Sequence, residues 1–151
     1  MSKFHVEMLD TSSVPLVEAA LVLLVNAFAE PEHYGQRRLQ DELQAVDGRL
    51  YRQFFIAQKA GKIVGIGGVK AADWASKTHL LYLSAVAQEH RGQGIGRSLL
   101  GARIEWLEKN FANGRILVSS AKAKRFRDHG FTLVPGSGVD GRYLMLRRFA
   151  R

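Results

Sequence analysis

The residues best suited to chemistry lie between Leu80 and Leu100, LLYLSAVAQEHRGQGIGRSLL. An apolar run ends at Val86, a short polar turn holds Arg91-Gly92-Gln93-Gly94-Ile95-Gly96, and an apolar pattern with helical spacing begins at once. Glycines at such a turn let the backbone bend tightly and approach a ligand without Cβ clashes. The first amides of a new helix have no internal acceptor, and with the helix dipole they make an anion site. Arg91 and Arg97 add full positive charge beside it.

The spacing narrows which anion is meant. A P-loop needs Lys and then Ser or Thr after its last glycine, whereas Gly96 is followed by Arg97. The dinucleotide pattern GxGxxG fails as well, because Gly92 and Gly94 fit but Arg97 stands at the third glycine. What remains, R-G-x-G-x-G, resembles the central motif Q/R-x-x-G-x-G/A of the GNAT superfamily of acyl-CoA-dependent N-acetyltransferases. The preceding Leu83-Ser84-Ala85-Val86 is similar to that family's Leu-x-x-Val strand. The resemblance implies acetyl-CoA as co-substrate, with its pyrophosphate cradled by amides around Arg91, Gly92, Gln93, Gly94, Ile95 and Gly96, and with the charge of Arg97 beside it. It implies pantetheine pairing with the backbone of Ala85 and Val86, and an oxyanion held by the Val86 amide. It also implies that this strand splays from the next one near Val118–Ser119 to admit the thioester.

A second family signature, roughly A-x-x-F-Y-x-x-x-G-F, is matched in part. Gly130-Phe131 fit, but Phe126 stands where many members carry the Tyr that protonates the departing thiolate, and a phenyl ring has no proton to give. Phe126 is expected to pack against the cofactor or in the core. The segment from Val118 to Phe131 is also faintly similar to the acetyltransferase domain of N-acetylglutamate synthases. A protonated amine cannot attack a thioester, so a base or a bound neutral amine is needed. The strand Thr78–Val86 contains no carboxylate. The candidate bases are therefore Glu30, Glu32 and His33, beside Tyr34 in the loop that borders the acceptor in this family, and His79; Tyr82 and Tyr143 are candidate acids. Of these, Glu32 as base and Tyr143 as acid carry the expectation, with positioning alone as a further source of rate. Lys122, Lys124, Arg125 and Arg127 read as a solvated helix face that could meet the adenosine 3′-phosphate.

Elements must position these groups. Phe4–Leu9 alternates as a strand, and Ser13 and Pro15 open a helix over Val14–Ala29, broken by Glu30–Gly35. A second helix with Leu39, Leu43 and Val46 on one face is expected to end near Gly48. Gln53–Ala60 and Ile63–Ala71 read as a hairpin, in which Gly65, Gly67 and Gly68 mark a bulge or a close backbone approach. Thr78–Val86 is apolar enough for a central strand. A helix over Ile95–Asn110 follows, with Leu100, Ile104 and Leu107 at helical spacing. Asn113-Gly114 is expected to turn the chain into a strand over Ile116–Ser119, followed by a basic helix over Ala121–His129 and strands over Phe131–Val134 and Arg142–Phe149. This order is not the strict alternation of a doubly wound fold. It predicts an α+β fold: a mixed, mostly antiparallel sheet of about seven strands with helices on both faces.

The 151 residues predict one domain, 1–151, and the absence of cysteine excludes disulfides, thiolate nucleophiles and Cys-ligated zinc. No histidine spacing reads as a metal site, and no GxSxG elbow is present. A net charge of +8 favours an anionic partner. The basic residues are spread out and match no nucleic-acid motif, so nucleic acid is not expected. The greasy stretch Val14–Ala29 carries Pro15, Glu18 and Asn26 and is short for a span, so neither a membrane partner nor export is expected, and the location is expected to be cytoplasmic. The expected function is acetyl transfer from acetyl-CoA to the primary amine of a small molecule or peptide, with no metal. Relatives of this kind are commonly homodimers. The rival reading is an acyl-CoA-binding sensor of the same fold that transfers nothing.

Overall fold

The computed structural model describes residues 3–30, 32–44 and 46–151. Pro31, part of the expected break after the first helix, lies outside them. Seven strands form one sheet: β1 (His5–Met8), β2 (Arg52–Lys59), β3 (Lys62–Ala71), β4 (Thr78–Val86), β5 (Asn113–Ser120), β6 (Thr132–Leu133) and β7 (Tyr143–Ala150). The spatial order is β1-β2-β3-β4-β5-β7-β6. Neighbours are antiparallel except β4 and β5, which run parallel. A parallel pair needs a crossover, and α3 (Ile95–Asn110) supplies it. The expected mixed α+β sheet is present.

Helices cover both faces. On one, α1 (Val14–Ala27) and α2 (Gln36–Glu42) bury Ala20, Leu24 and Leu39, with Leu43 just past the end of α2, against Phe54, Ile56 and Ile66. The side chain of Ser13 caps α1 by accepting from the Leu16 amide at 3.4 Å, and Pro15 sits in the first turn, where no amide is required. On the other face α3 presents Ile95, Leu99, Leu100, Ile104 and Leu107 to Val64, Val69, Leu81 and Ile116. The short α4 (Ala123–Arg127) adds Phe126, which meets Phe131 edge-on at 5.4 Å.

Most boundaries shift by one or two residues, α1 ending at Ala27 and not Ala29, and four elements differ in ways that have a structural reason. The second helix stops at Glu42, because Val46 bridges to Arg52 and joins the approach to β2 instead. Asn113-Gly114 is the start of β5, paired with Phe149 and Ala150, rather than a turn: Gly114 lies where a Cβ would meet the Lys77 carbonyl at 2.9 Å. The basic helix shrinks to Ala123–Arg127, since Ser120 Oγ instead caps the Lys122 amide at 2.9 Å and Gly130, at φ +81°, ends the segment. The strand after it is paired with β7 only at Thr132 and Leu133.

The three glycines of β3 make close approaches. A Cβ on Gly65 would lie 2.7 Å from Ile95 Cγ2, one on Gly67 2.7 Å from Arg103 Cζ, and one on Gly68 2.7 Å from Phe54 Cε2. The bulge is present too, but β4 carries its extra residue. Ile66 and Gly68 pair with Ala85 and Tyr82, so three steps of β4 oppose two of β3. Leu83, within that bulge, has φ +48°, a left-handed conformation that costs a leucine about 1–3 kcal/mol.

Candidate functional site

The β4–β5 ladder runs from Thr78↔Arg115 to Leu81↔Val118 and stops. Beyond the bulge, the β5-facing backbone of Leu83–Val86 has no strand partner, and the two strands part where the resemblance implied. The opening leads into a cleft of about 680 Å³, walled by Ser84, Ala85 and Val86 of β4, the start and inner face of α3, Lys122 to Phe126, and the end of α1 at Ala27 and Phe28. Buried strand backbone that lacks a partner must find one. An extended ligand lying along β4 would provide it.

At the mouth, Gly92 and Gly94 both take φ +82°, a region open to glycine and strained for other residues. A Cβ at either would meet nothing within 4 Å, so these two glycines are required by conformation and not by space. Gly94 in this conformation turns the chain directly into α3. The first bond into the helix runs from the Ser98 amide to the Gly94 carbonyl, and no side chain caps the end. The amides of Ile95, Gly96 and Arg97 are consequently left without an acceptor among the described residues. Gly96 makes room instead: a Cβ there would lie 3.0 Å from Arg125 Nη1. The Arg125 guanidinium is thus seated over the positive end of a helix, an arrangement that stores repulsion until an anion arrives. Arg91 is tied to the end of β4 by its Nε donating to the Val86 carbonyl at 3.3 Å.

Arg91, Arg97, Arg103, Lys122 and Arg125 line the cleft together with His90, and no Asp or Glu does so among the described residues. Opposite charges normally accompany such a density of cations, and in their absence the cleft concentrates anions. Phe126, buried and facing Phe131, also forms part of the wall, so both of its expected roles are compatible with its place.

Of the cofactor candidates, Ala85, Val86, Arg91, Gly92, Gly94, Ile95, Gly96, Arg97 and Phe126 all border this cleft. Gln93 is not part of the wall; its side chain accepts from Lys59 Nζ at 3.2 Å and buttresses the turn. The acid and base candidates are not brought together. Glu30, Glu32, His33 and Tyr34 stay in the loop just past Phe28, where Tyr34 stacks on Phe28 at 4.9 Å, the Arg38 guanidinium donates to the His33 carbonyl, and Glu32 is exposed. Tyr143 begins β7 opposite Ser120, with its ring against Gly138. His79 lies at the other end of β4, where Nδ1 shares a 2.7 Å hydrogen bond with the Tyr51 hydroxyl amid Trp106, Phe111 and Phe149. Burial lowers its pKa to about 4 and raises that of Tyr51 above the usual phenol range. Tyr82 faces the α1–α2 side, where its hydroxyl donates to Glu42 Oε2 at 2.7 Å; burial, then that bond, raise its pKa.

Two residues gave no functional cue in the sequence. Glu42 anchors Tyr82, Arg52 and Lys70, and Arg103 lies beneath the bulge with its Nη1 2.9 Å from Ser84 Oγ. Arg103 had one available signal. It falls on the stripe defined by Leu99, Leu100 and Leu107, so helical periodicity alone turns a cation inward.

No sequence among curated proteins matches this chain. Among solved structures, the chain is similar to the ribosomal-protein-S18-alanine N-acetyltransferase of Escherichia coli, with a TM-score of 0.75, 18% identity, and 99% of this chain and 96% of that one covered. It is similar to a PaiA N-acetyltransferase from Thermoplasma acidophilum in complex with coenzyme A, with a TM-score of 0.72, 15% identity, and coverage of 97% and 99%. It is also similar to the N-acetylglutamate synthase of Neisseria gonorrhoeae complexed with coenzyme A and N-acetyl-glutamate, with a TM-score of 0.65 and 14% identity; all of this chain is covered but only 36% of that one. At these identities the likeness is one of fold. The family model for the acetyltransferase (GNAT) family matches residues 19–131, which include the whole of the cleft's β4–α3 turn and Phe126: the chain belongs to the GNAT acetyltransferase family.

Proposed function

We propose that this chain transfers an acetyl group from acetyl-CoA to a primary amine by direct attack. One observation carries the reading: a cleft between parted strands, ending at an uncapped helix N-terminus, lined by five cations and by no carboxylate among the described residues. Coenzyme A is an anionic chain with an amide-bearing arm, and each part meets a matching surface. Its diphosphate fits the amides of Ile95, Gly96 and Arg97 under Arg91 and Arg125. Its 3′-phosphate fits Lys122, and its pantetheine amides fit the side of β4 at Ala85 and Val86 that β5 leaves without a strand partner. When bound, it would supply an activated acyl thioester. The chain's own residues would hold that thioester against β4, exclude water with Phe28 and Phe126, and offer the Val86 amide to the carbonyl oxygen.

The acceptor enters from the side of α1 and the loop at 30–35, the side Ala27 and Phe28 open onto. Because no carboxylate lines the cleft among the described residues, positioning supplies most of the rate, and the amine is taken up neutral or gives its proton to solvent. Glu32, in the loop after α1, and Tyr143, at the start of β7, are kept as the base and acid candidates toward a bound acceptor. The acceptor class is a small-molecule or peptide amine, one chain serves as one transferase domain, and the working compartment is the cytoplasm. A second reading, an acyl-CoA-binding module without turnover, draws on the same missing carboxylate and on Phe126. The test is release of free CoASH from acetyl-CoA across a panel of primary amines. Amine-dependent release supports transfer and ends the sensor reading; saturable acetyl-CoA binding with no release under any amine reverses the choice.

A further inference from the structure

Arg103 is the one Lys, Arg, Asp or Glu in the buried class among the described residues, 2% exposed. It lies four residues after Leu99 and four before Leu107, where α3 otherwise presents aliphatic side chains. Its guanidinium reaches the β3–β4 bulge and fills the space that Gly67 leaves. Nε donates to the Leu99 carbonyl at 3.1 Å, and Nη1 donates to the Gly68 carbonyl at 3.0 Å and to Ser84 Oγ at 2.9 Å. Nη2 has no acceptor, and no carboxylate stands within ion-pair distance, among the described residues. Burial lowers its pKa to about 10, which leaves it charged at neutral pH. A buried cation lacking a counter-ion is costly enough that structural cores seldom keep one.

Its setting indicates what it serves. Arg103 and Ser84 both line the cleft, and Ser84 is exposed to it. Because Ser84 Oγ accepts from Arg103, the hydroxyl hydrogen is left to donate, and it has no acceptor among the described residues. The pair is also in the right place. Arg103 is eight residues, about 12 Å, along α3 from Ile95, and Ser84 is one residue inward of Ala85. If the phosphates sit at Ile95–Arg97 and the arm runs along Val86 and Ala85, its sulfur end arrives at Ser84.

We propose that Ser84 and Arg103 form the site that holds the sulfur of coenzyme A when it carries negative charge, with Ser84 donating a hydrogen bond to it and Arg103 acting as a positioning residue and counter-cation. The inference rests on the acyl-CoA reading. It answers the chemical gap at Phe126: the amine lone pair forms the C–N bond, the C–S electron pair leaves on sulfur, and the proton shed by the amine goes to solvent. The pair supplies a hydrogen bond and charge, and no proton. The other charged or titratable groups lining the cleft are His90, Arg91, Arg97, Lys122 and Arg125, from the turn, the start of α3 and the α4 region; Glu42, Arg52, Lys70 and Tyr82 are grouped on the opposite face of the sheet.

The experiment binds CoASH to the full chain and titrates its thiol through thiolate absorbance, with no acceptor present. The expected bound thiol pKa is about one unit or more below that of free CoASH, since a cation and a donor both favour the thiolate. Ser84→Ala and Arg103→Met each return it toward the free value, while Arg103→Lys retains part of the depression. A merely structural Arg103 would not move this titration. A bound thiol that titrates like free CoASH, or a depression that survives both Ser84→Ala and Arg103→Met, overturns the inference and leaves the acyl-CoA reading standing. Failure of the native chain to bind CoASH overturns both. Ser84 is exposed, so Ser84→Ala decides the matter if Arg103→Met does not fold.

Discussion

On the α2 face of the sheet, Arg52 and Lys70 share one carboxylate, Glu42, at 3.6 and 3.5 Å, and Tyr82 donates to the same group. Lys70 also lies 4.3 Å from the centre of the Tyr82 ring. On the α3 face, across two strands, five cations line a cleft with no acidic residue among those described. The first cluster satisfies itself and needs nothing from solution. In the second, glycines hold the amides open and Gly96 seats a guanidinium over a helix N-terminus, which leaves positive potential with no internal partner. A compensated cluster supports the fold, whereas an uncompensated one is where a ligand's charge belongs.

Substitutions should separate the two regions. Gly96→Asp breaks the cleft most severely. It places a carboxylate at the helix N-terminus, beside Arg125 Nη1, which the new Cβ alone would approach to 3.0 Å. Acetyl-CoA affinity by calorimetry should fall about 100-fold or more as the anion's partners are occupied, with the melting temperature little changed. Retained affinity would break the contrast at its centre.

A second effect is confined in pH and lies in neither cluster. His79 is neutral when folded, with a pKa of about 4 against about 6.5 unfolded. Below about pH 6.5 the unfolded chain takes up a proton that the folded chain refuses, so stability falls as pH drops toward 4. Denaturant titrations should show about 3 kcal/mol lost across that window, and His79→Gln should flatten the dependence. An unchanged slope in the variant would assign the loss to other groups.

Smaller effects sharpen the comparison. Arg125→Ala should weaken acetyl-CoA binding by about tenfold, and added salt should shrink the difference between variant and native chain. A loss of stability without a loss of binding would move Arg125 into the compensated class. Glu42→Gln should do the reverse. It leaves Arg52, Lys70 and Tyr82 without their shared charge and should cost about 1 kcal/mol, discounted for partial solvent access. That is about 2–4 °C in melting temperature, with acetyl-CoA affinity unchanged.

The parts legible in the sequence are those written as local pattern. Alternation and apolar runs placed all seven strands, helical spacing placed α1 and α3, and R-G-x-G-x-G marked the turn because backbone conformation there depends on glycine. The glycines of β3 were legible as close approaches, but not which groups approach them. What was hidden depends on contacts between distant segments. Leu83 at φ +48° has no glycine or asparagine to announce it, because the strain is imposed by pairing with β3. Glu42 acquires meaning only when β2, β3 and β4 bring Arg52, Lys70 and Tyr82 beneath α2. The α2 boundary shifted for the same reason, since Val46 is drawn into a bridge with Arg52. The bases expected near Glu32 rested on loop position in the chain, which fixes neither distance nor direction to the cleft.

The most direct test of the account is a crystal structure of this chain grown with coenzyme A. It should place the diphosphate within hydrogen-bond distance of the Ile95, Gly96 and Arg97 amides with the pantetheine arm against Ala85 and Val86. A diphosphate bound elsewhere, with those three amides facing only solvent, would contradict it.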